Sequence, residues 1–180
     1  MSAAQSEAIL LRDAVAGDAN ALAALGRASF MAAFGHLYRP EDLARFLEQT
    51  YSVEAVREEI SDPAIIHQLA VRGADGALAA YCKLRYPSPY RQHSDAANPI
   101  SLAQLYTDPA MTGRGLGAML MGWVLEEARR RGCDAVQLSV WSENHGAQRF
   151  YARHGYSRIA DIDFWVGDHR DDEFLYELRL

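Results

Sequence analysis

Leu105-Tyr106-Thr107-Asp108-Pro109-Ala110-Met111-Thr112-Gly113-Arg114-Gly115-Leu116-Gly117, residues 105–117, joins an apolar run to an amphipathic one. Upstream, Ile100 to Thr107 reads as a strand. Downstream, Leu116, Leu120, Val124 and Ala128 fall on one stripe of a helix. Arg129, Arg130 and Arg131 complement the last turn of that helix, and Gly132 lies just past it. Ala135 to Trp141 then resumes as a strand. The whole is a strand–helix–strand crossover with a glycine-rich entry to its helix.

The glycines let the main chain turn sharply and bring its N–H groups close to a ligand. A helix N-terminus adds about half a positive charge, so the turn suits a phosphate. A P-loop is excluded, because no Lys-Ser or Lys-Thr follows the glycines. The G-x-G-x-G spacing, placed after several strands, also fits a dinucleotide fingerprint poorly. Taken alone, the loop serves equally as a tight strand-to-helix turn or as a phosphate cradle.

Outward from this centre the pattern is mixed α/β. Ala8 to Arg12 opens as a strand, and Asp18 is placed to cap a helix carrying Leu22, Leu25, Ala28 and Phe30 toward Phe34. Pro40, followed by Glu41 and Asp42, begins a second helix, and Ser52 caps a third that ends before Asp62-Pro63. Ile66 to Arg72 and Ala77 to Tyr86 read as strands around the turn Ala74-Asp75-Gly76. The stretch from Pro87 to Pro99, with three prolines, is a loop and a candidate substrate lip. Gly146 to His154 forms a short helix closed by Gly155. Tyr156 to Val166 and Phe174 to Leu180 finish as strands around Gly167-Asp168. No repeat or linker divides the chain, so residues 1–180 read as one domain.

Apolar residues make up 49% of the 180 residues and charged ones 23%, which supplies a sizeable core. The formal charge of −6 disfavours a nucleic-acid binder, which needs a basic face. The two cysteines, Cys82 and Cys133, are too few for a disulfide scaffold or a metal knuckle, so no metal is expected. No stretch approaches a membrane span, and Met1 to Glu7 lacks the pattern of a signal peptide. A soluble, cytoplasmic protein is the expectation.

A second block follows the crossover: Leu138-Ser139-Val140-Trp141-Ser142-Glu143-Asn144, then Phe150, Tyr151 and His154-Gly155-Tyr156. Asn144 and Tyr151 lie two helical turns apart, about 10 Å along one face. A ligand arm on that face would meet an amide and a phenol, although taken alone a helix cap and a half-buried aromatic are the more ordinary roles for them.

Together the two blocks, from about Ile100 to Tyr156, resemble the Gcn5-related N-acetyltransferase (GNAT) family. The resemblance implies an acyl-CoA N-acyltransferase fold, a mostly antiparallel mixed sheet flanked by helices, with acetyl-CoA as co-substrate. It implies that Thr112, Gly113, Arg114, Gly115, Leu116, Gly117 and Ala118 form the pyrophosphate loop. Leu105, Tyr106 and Thr107 would pair with the pantetheine arm, Asn144 would contact that arm, and Tyr151 would protonate the departing thiolate. A tyrosine near pKa 10 and a thiol near 8.5 are close enough for that transfer. Transfer from thioester to amine would be direct, leaving Cys82 and Cys133 as bystanders.

Ala28-Ser29-Phe30 with Phe34, Tyr38-Arg39-Pro40-Glu41-Asp42-Leu43 and Asp163-Phe164-Trp165-Val166-Gly167-Asp168 are similar to bacterial spermine/spermidine acetyltransferases. That resemblance implies a polyamine or related small amine, with Phe30, Phe34 and Tyr38 in a substrate lip and Glu41 and Asp42 facing ammonium groups. A peptide N-terminus as acceptor and a non-catalytic acyl-CoA-binding module are the alternatives. The family is often dimeric, and Tyr156 to Leu180 would supply the interface.

Two departures stand out. Thr112 sits where relatives carry Arg or Gln. Ser101, Ala103 and Gln104 occupy the strand on which many relatives carry a glutamate base. An alkylammonium held protonated at pH 7 costs about 4–5 kcal/mol to neutralise. Tyr106 or Gln104 through water, Glu143, Asp108, His36 and His93 are the candidates, and the base is left unassigned.

Overall fold

A computed structural model describes residues 8–180, so Met1 to Glu7 lie outside the described residues. The elements are β1 (Ile9–Asp13), α1 (Ala19–Phe34), α2 (Pro40–Tyr51), α3 (Val53–Ser61), β2 (Ile65–Arg72) and β3 (Leu78–Arg85). They continue with β4 (Pro99–Thr107), α4 (Leu116–Arg130), β5 (Ala135–Trp141), α5 (His145–Arg153), β6 (Ser157–Val166) and β7 (His169–Arg179). Among the described residues, seven strands form one sheet in the order β1-β2-β3-β4-β5-β7-β6. All neighbours are antiparallel except β4 and β5, which α4 joins as the crossover requires. The mixed, mostly antiparallel sheet flanked by helices is the expected fold class. Among the described residues no helix is long and apolar enough to cross a membrane.

Alternation along the strands sends side chains to two cores. Ala80, Cys82 and Leu84 pack with the α4 stripe of Leu116, Leu120, Val124 and Ala128. Tyr81, between them in sequence, meets α1 and α3 through Ala19, Leu22, Ala23 and Val56. A third cluster of Phe30, Tyr38, Leu43, Leu47, Tyr51 and Val166 closes the space between α1, α2 and the β6–β7 hairpin. Ser52 caps α3 as expected, its hydroxyl accepting from Ala55 N at 3.2 Å. Asp18 does not cap α1. Its carboxylate instead accepts from Val15 N and from the Arg12 guanidinium, a nearer and charged partner.

The ladder between β4 and β5 is short. Pro99, Ile100 and Ser101 pair with Ala135, Val136 and Gln137, and there the pairing stops. From Leu102 to Thr107, β4 holds only to β3 on its other side. This parting leaves a gap in the middle of the sheet.

β7 begins at His169, five residues before the expected Phe174, and inserts between β5 and β6. The hairpin tip, Gly167 with φ of 56°, sits against the buried Asp42 of α2. A methyl there would overlap the Asp42 carboxylate. Gly167→Ala should therefore lower stability by about 1–2 kcal/mol from the left-handed backbone alone, read as an earlier urea midpoint with unchanged slope.

Candidate active site

The glycine loop is built by its own hydrogen bonds. Asp108 accepts from Ala110 N at 2.8 Å, and the Thr112 hydroxyl donates to Pro109 O at 3.2 Å. Gly113 and Gly115 hold φ of 75° and 77°, and a Cβ at either would meet nothing within 4 Å. The first α4 bond runs from Met119 N to Gly115 O, and no side chain caps the helix. The amides of Leu116, Gly117 and Ala118 therefore have no intrahelical acceptor, beside exposed Arg114. Free amides, a helix dipole and open space fit a diphosphate without a lysine clamp. Gly117 packs on the Phe150 ring at 3.5 Å, and that ring stands edge-on to Tyr151 with centroids 5.3 Å apart.

Where β4 and β5 part, a cavity of about 630 Å³ opens. Leu105 and Tyr106 of β4, Asn144 at the start of α5 and Tyr151 within it all line this cavity. The Asn144 side-chain oxygen caps α5, accepting from Ala147 N at 3.1 Å, which leaves its amide nitrogen for another partner. Thr107 ends β4 outside the lining. Burial pushes the Tyr151 phenol well up, so it holds its proton. The same desolvation drives the nearby Cys82 thiol up to about 12. A thiolate forming here would gain proton affinity alongside the phenol. Cys82 is fully buried in the α4 core and stays out of the lining.

The opposite wall is aromatic. Phe30, Phe34, Tyr38, Phe46, Trp141 and Phe164 line it, with Phe30–Phe46 centroids at 4.7 Å and Phe34 edge-on to Trp141 at 5.8 Å. At its floor Tyr81 donates to Gln104 Oε1 at 2.9 Å, Gln104 Nε2 donates to Tyr51 at 3.3 Å, and Tyr51 and Tyr106 hydroxyls lie 3.2 Å apart. Burial pushes the Tyr106 phenol up as well. Gln104 and Tyr106 are thus occupied by their neighbours.

Three carboxylates face the cavity: Glu59, Asp171 and Glu173. Lys83 Nζ binds both Glu59 oxygens at 2.9 and 3.0 Å, and His67 lies 3.6 Å from the same group. Burial alone would raise the Glu59 carboxyl, but His67 and Lys83 together hold it below its ordinary range. Asp171 accepts from Tyr38 at 2.6 Å and lies 3.0 Å from His169 Nε2. Asp171 and Glu173 escape a sequence reading that leaves them in a turn. Their inward alternation with Arg170 and Asp172, which pair with each other on the outside, is the strand signal that would have found them.

Other expectations fall elsewhere. Glu41 is exposed in the first turn of α2, Asp42 faces the hairpin tip, and neither lines the cavity. Asp108 caps its own turn, and Glu143 is exposed beside His145. His36, His93 and the whole 87–98 stretch are absent from the lining. That loop is instead pinned beneath the sheet, with the buried Ser88 hydroxyl donating to Gln137 Oε1 at 2.6 Å.

Residues 31–156 match the model of the acetyltransferase (GNAT) family. The chain is 32% identical over 158 residues to an uncharacterized N-acetyltransferase in the pepI 3′ region of Lactobacillus delbrueckii subsp. lactis, covering 87% of this chain and 89% of that one. It is 28% identical over 123 residues to the aminoalkylphosphonate N-acetyltransferase of Salmonella typhimurium, covering 64% and 75% of the two chains. Its fold is similar to that of the PaiA N-acetyltransferase of Thermoplasma acidophilum in complex with coenzyme A. The TM-score is 0.76 at 23% identity, over 96% of this chain and 99% of that one. The chain belongs to the GNAT acetyltransferase family. It is an acetyl-CoA-dependent N-acetyltransferase.

The buried pair predicts a pH-dependent defect. Lys83→Met leaves the Glu59 charge without its main partner and should cost about 3 kcal/mol at pH 7. Because the folded carboxyl lies low, its stabilisation is complete above the unfolded value of about 4.3. The gap between variant and wild type should therefore narrow as pH falls through the folded value, measured by urea titration at each pH.

Proposed function

We propose that the protein acetylates a small primary amine held in the aromatic cavity, by direct transfer from acetyl-CoA. The observation that carries this reading is the gap between β4 and β5. It brings Tyr151 and Asn144 into one cavity with an amine-sized aromatic wall. In this reading, residues 112–118 hold the pyrophosphate on open amides. The unpaired edge of β4 at Leu105 to Thr107 offers main-chain groups to the pantetheine arm, and the free Asn144 amide steadies it. Tyr151 donates its proton to sulfur as the thioester opens. The aromatic faces exclude water and attract a cation through their quadrupoles.

The narrower acceptor is a polyamine. Phe30, Phe34 and Tyr38 stand where the sequence resemblance puts a substrate lip, and Asp171 and Glu173 supply the carboxylates that Glu41 and Asp42 do not. A second reading, an amine with an anionic tail, draws on the aminoalkylphosphonate relative and on Arg85, which lines the same cavity.

Thiol release from acetyl-CoA with spermidine, 2-aminoethylphosphonate and an N-terminal peptide tests the set. Turnover of spermidine above the other two is expected. Preference for the phosphonate favours the second reading, preference for the peptide overturns a small acceptor, and no turnover overturns amine transfer. Tyr151→Phe should lower kcat about 100-fold with little change in KM, since the phenol acts on the leaving group.

A further inference from the structure

We infer that Glu173, on β7, is the general base that takes the proton from the acceptor ammonium. This rests on the amine-transfer reading above. A base is needed because only about one alkylamine in a few thousand is neutral at pH 7.

The three cavity carboxylates are not equivalent. Glu59 is clamped by Lys83 through both oxygens, so neither is free to accept a further proton without breaking an ion pair. Asp171 is engaged by the Tyr38 phenol and His169. Glu173 has neither a cation nor a phenol bound to it, and the Ser139 hydroxyl of the adjoining strand lines the same cavity and lowers its carboxyl. In register, Glu173 lies opposite Trp141 on β5 and Ile162 on β6, and Trp141 and Glu173 both line the cavity.

The charged and titratable surroundings favour a proton acceptor. Tyr106 of β4, Tyr38 and Tyr90 face Glu173 as neutral phenols, and Asp171 is the nearest like charge. Lys83, paired to Glu59, and Arg85 line the cavity from β3. Burial raises the Glu173 carboxyl, Ser139 pulls it the other way, and Asp171 adds to the rise. The net upward direction brings it toward the pH at which a base works.

The step balances. Glu173 takes one proton from the ammonium and passes it to solvent through the cavity mouth. The amine nitrogen bonds to the thioester carbon, and the carbon–sulfur bond breaks. Tyr151 gives its proton to sulfur and is restored by the second proton leaving the nitrogen. The products are the amide, the free thiol and one proton.

The test is the pH profile of kcat/KM between pH 5 and 9, with saturating acetyl-CoA and whichever amine of the panel the wild type turns over. Glu173→Gln should lose about 10²–10⁴-fold in kcat and lose the acid limb of the profile, while calorimetry finds unchanged coenzyme A binding. Glu173→Asp should keep the acid limb and recover part of the rate. Ser139→Ala, which leaves Glu173 in place, should move that limb to higher pH by removing the hydroxyl that holds the carboxyl down. A Glu173→Gln enzyme that keeps the limb, or loses only acceptor KM, overturns the base and makes Glu173 an ammonium anchor. An unmoved limb in Ser139→Ala also overturns it. A wild type inactive on every amine overturns the amine-transfer reading and the base with it.

Discussion

Everything in the site depends on two parallel strands that pair for only three residues each and then part. Pro99 to Ser101 and Ala135 to Gln137 hold the sheet together, and beyond them β4 keeps a single neighbour. Main-chain N–H and C=O groups on the free side must find partners in water or in a ligand. An interrupted ladder is therefore a binding edge as well as an opening. It lets Tyr151, which packs with the α4 core, share a cavity with Phe30 and Phe34 of α1 on the far side of the sheet.

The electrostatics of the cavity follow from pairing rather than from net charge. The molecule is acidic, yet Glu59 is neutralised by Lys83, and Asp171 is committed to Tyr38 and His169. In the proposed mechanism, a single carboxylate left unpaired among phenols and rings accepts a proton at one place while Tyr151 donates one at another. Both groups are desolvated, but burial acts on them to different ends. It strengthens the carboxylate as an acceptor and keeps the phenol loaded.

How much was legible in the sequence follows from the range of each signal. The glycine loop, the α4 stripe and the crossover were readable because their cues are local and periodic. So was the Ser52 cap, where side chain and amide lie three residues apart. Asp18 misled because a cation six residues upstream, at the end of β1, outcompetes a helix amide for it. The start of β7 was hidden by its composition: His169 to Glu173 is a charged run that resembles a turn. Only the sheet, by covering one side, separates inward Asp171 and Glu173 from outward Arg170 and Asp172. That β7 would slip between β5 and β6 is a long-range fact with no local mark. Prolines gave the 87–98 loop its exposed look, but buried Ser88 ties it to Gln137.

The contact between Gly167 and Asp42 has a bearing beyond stability. It seats the hairpin tip against the second helix, backbone against a short side chain, with no room for even a methyl between them. The separation between the carboxylate strand and the helical wall is thereby set by the skeleton. Ring size at Phe30, Phe34 and Phe46 can then change through evolution, altering which molecules fit, without retuning the spacing of the chemical groups opposite.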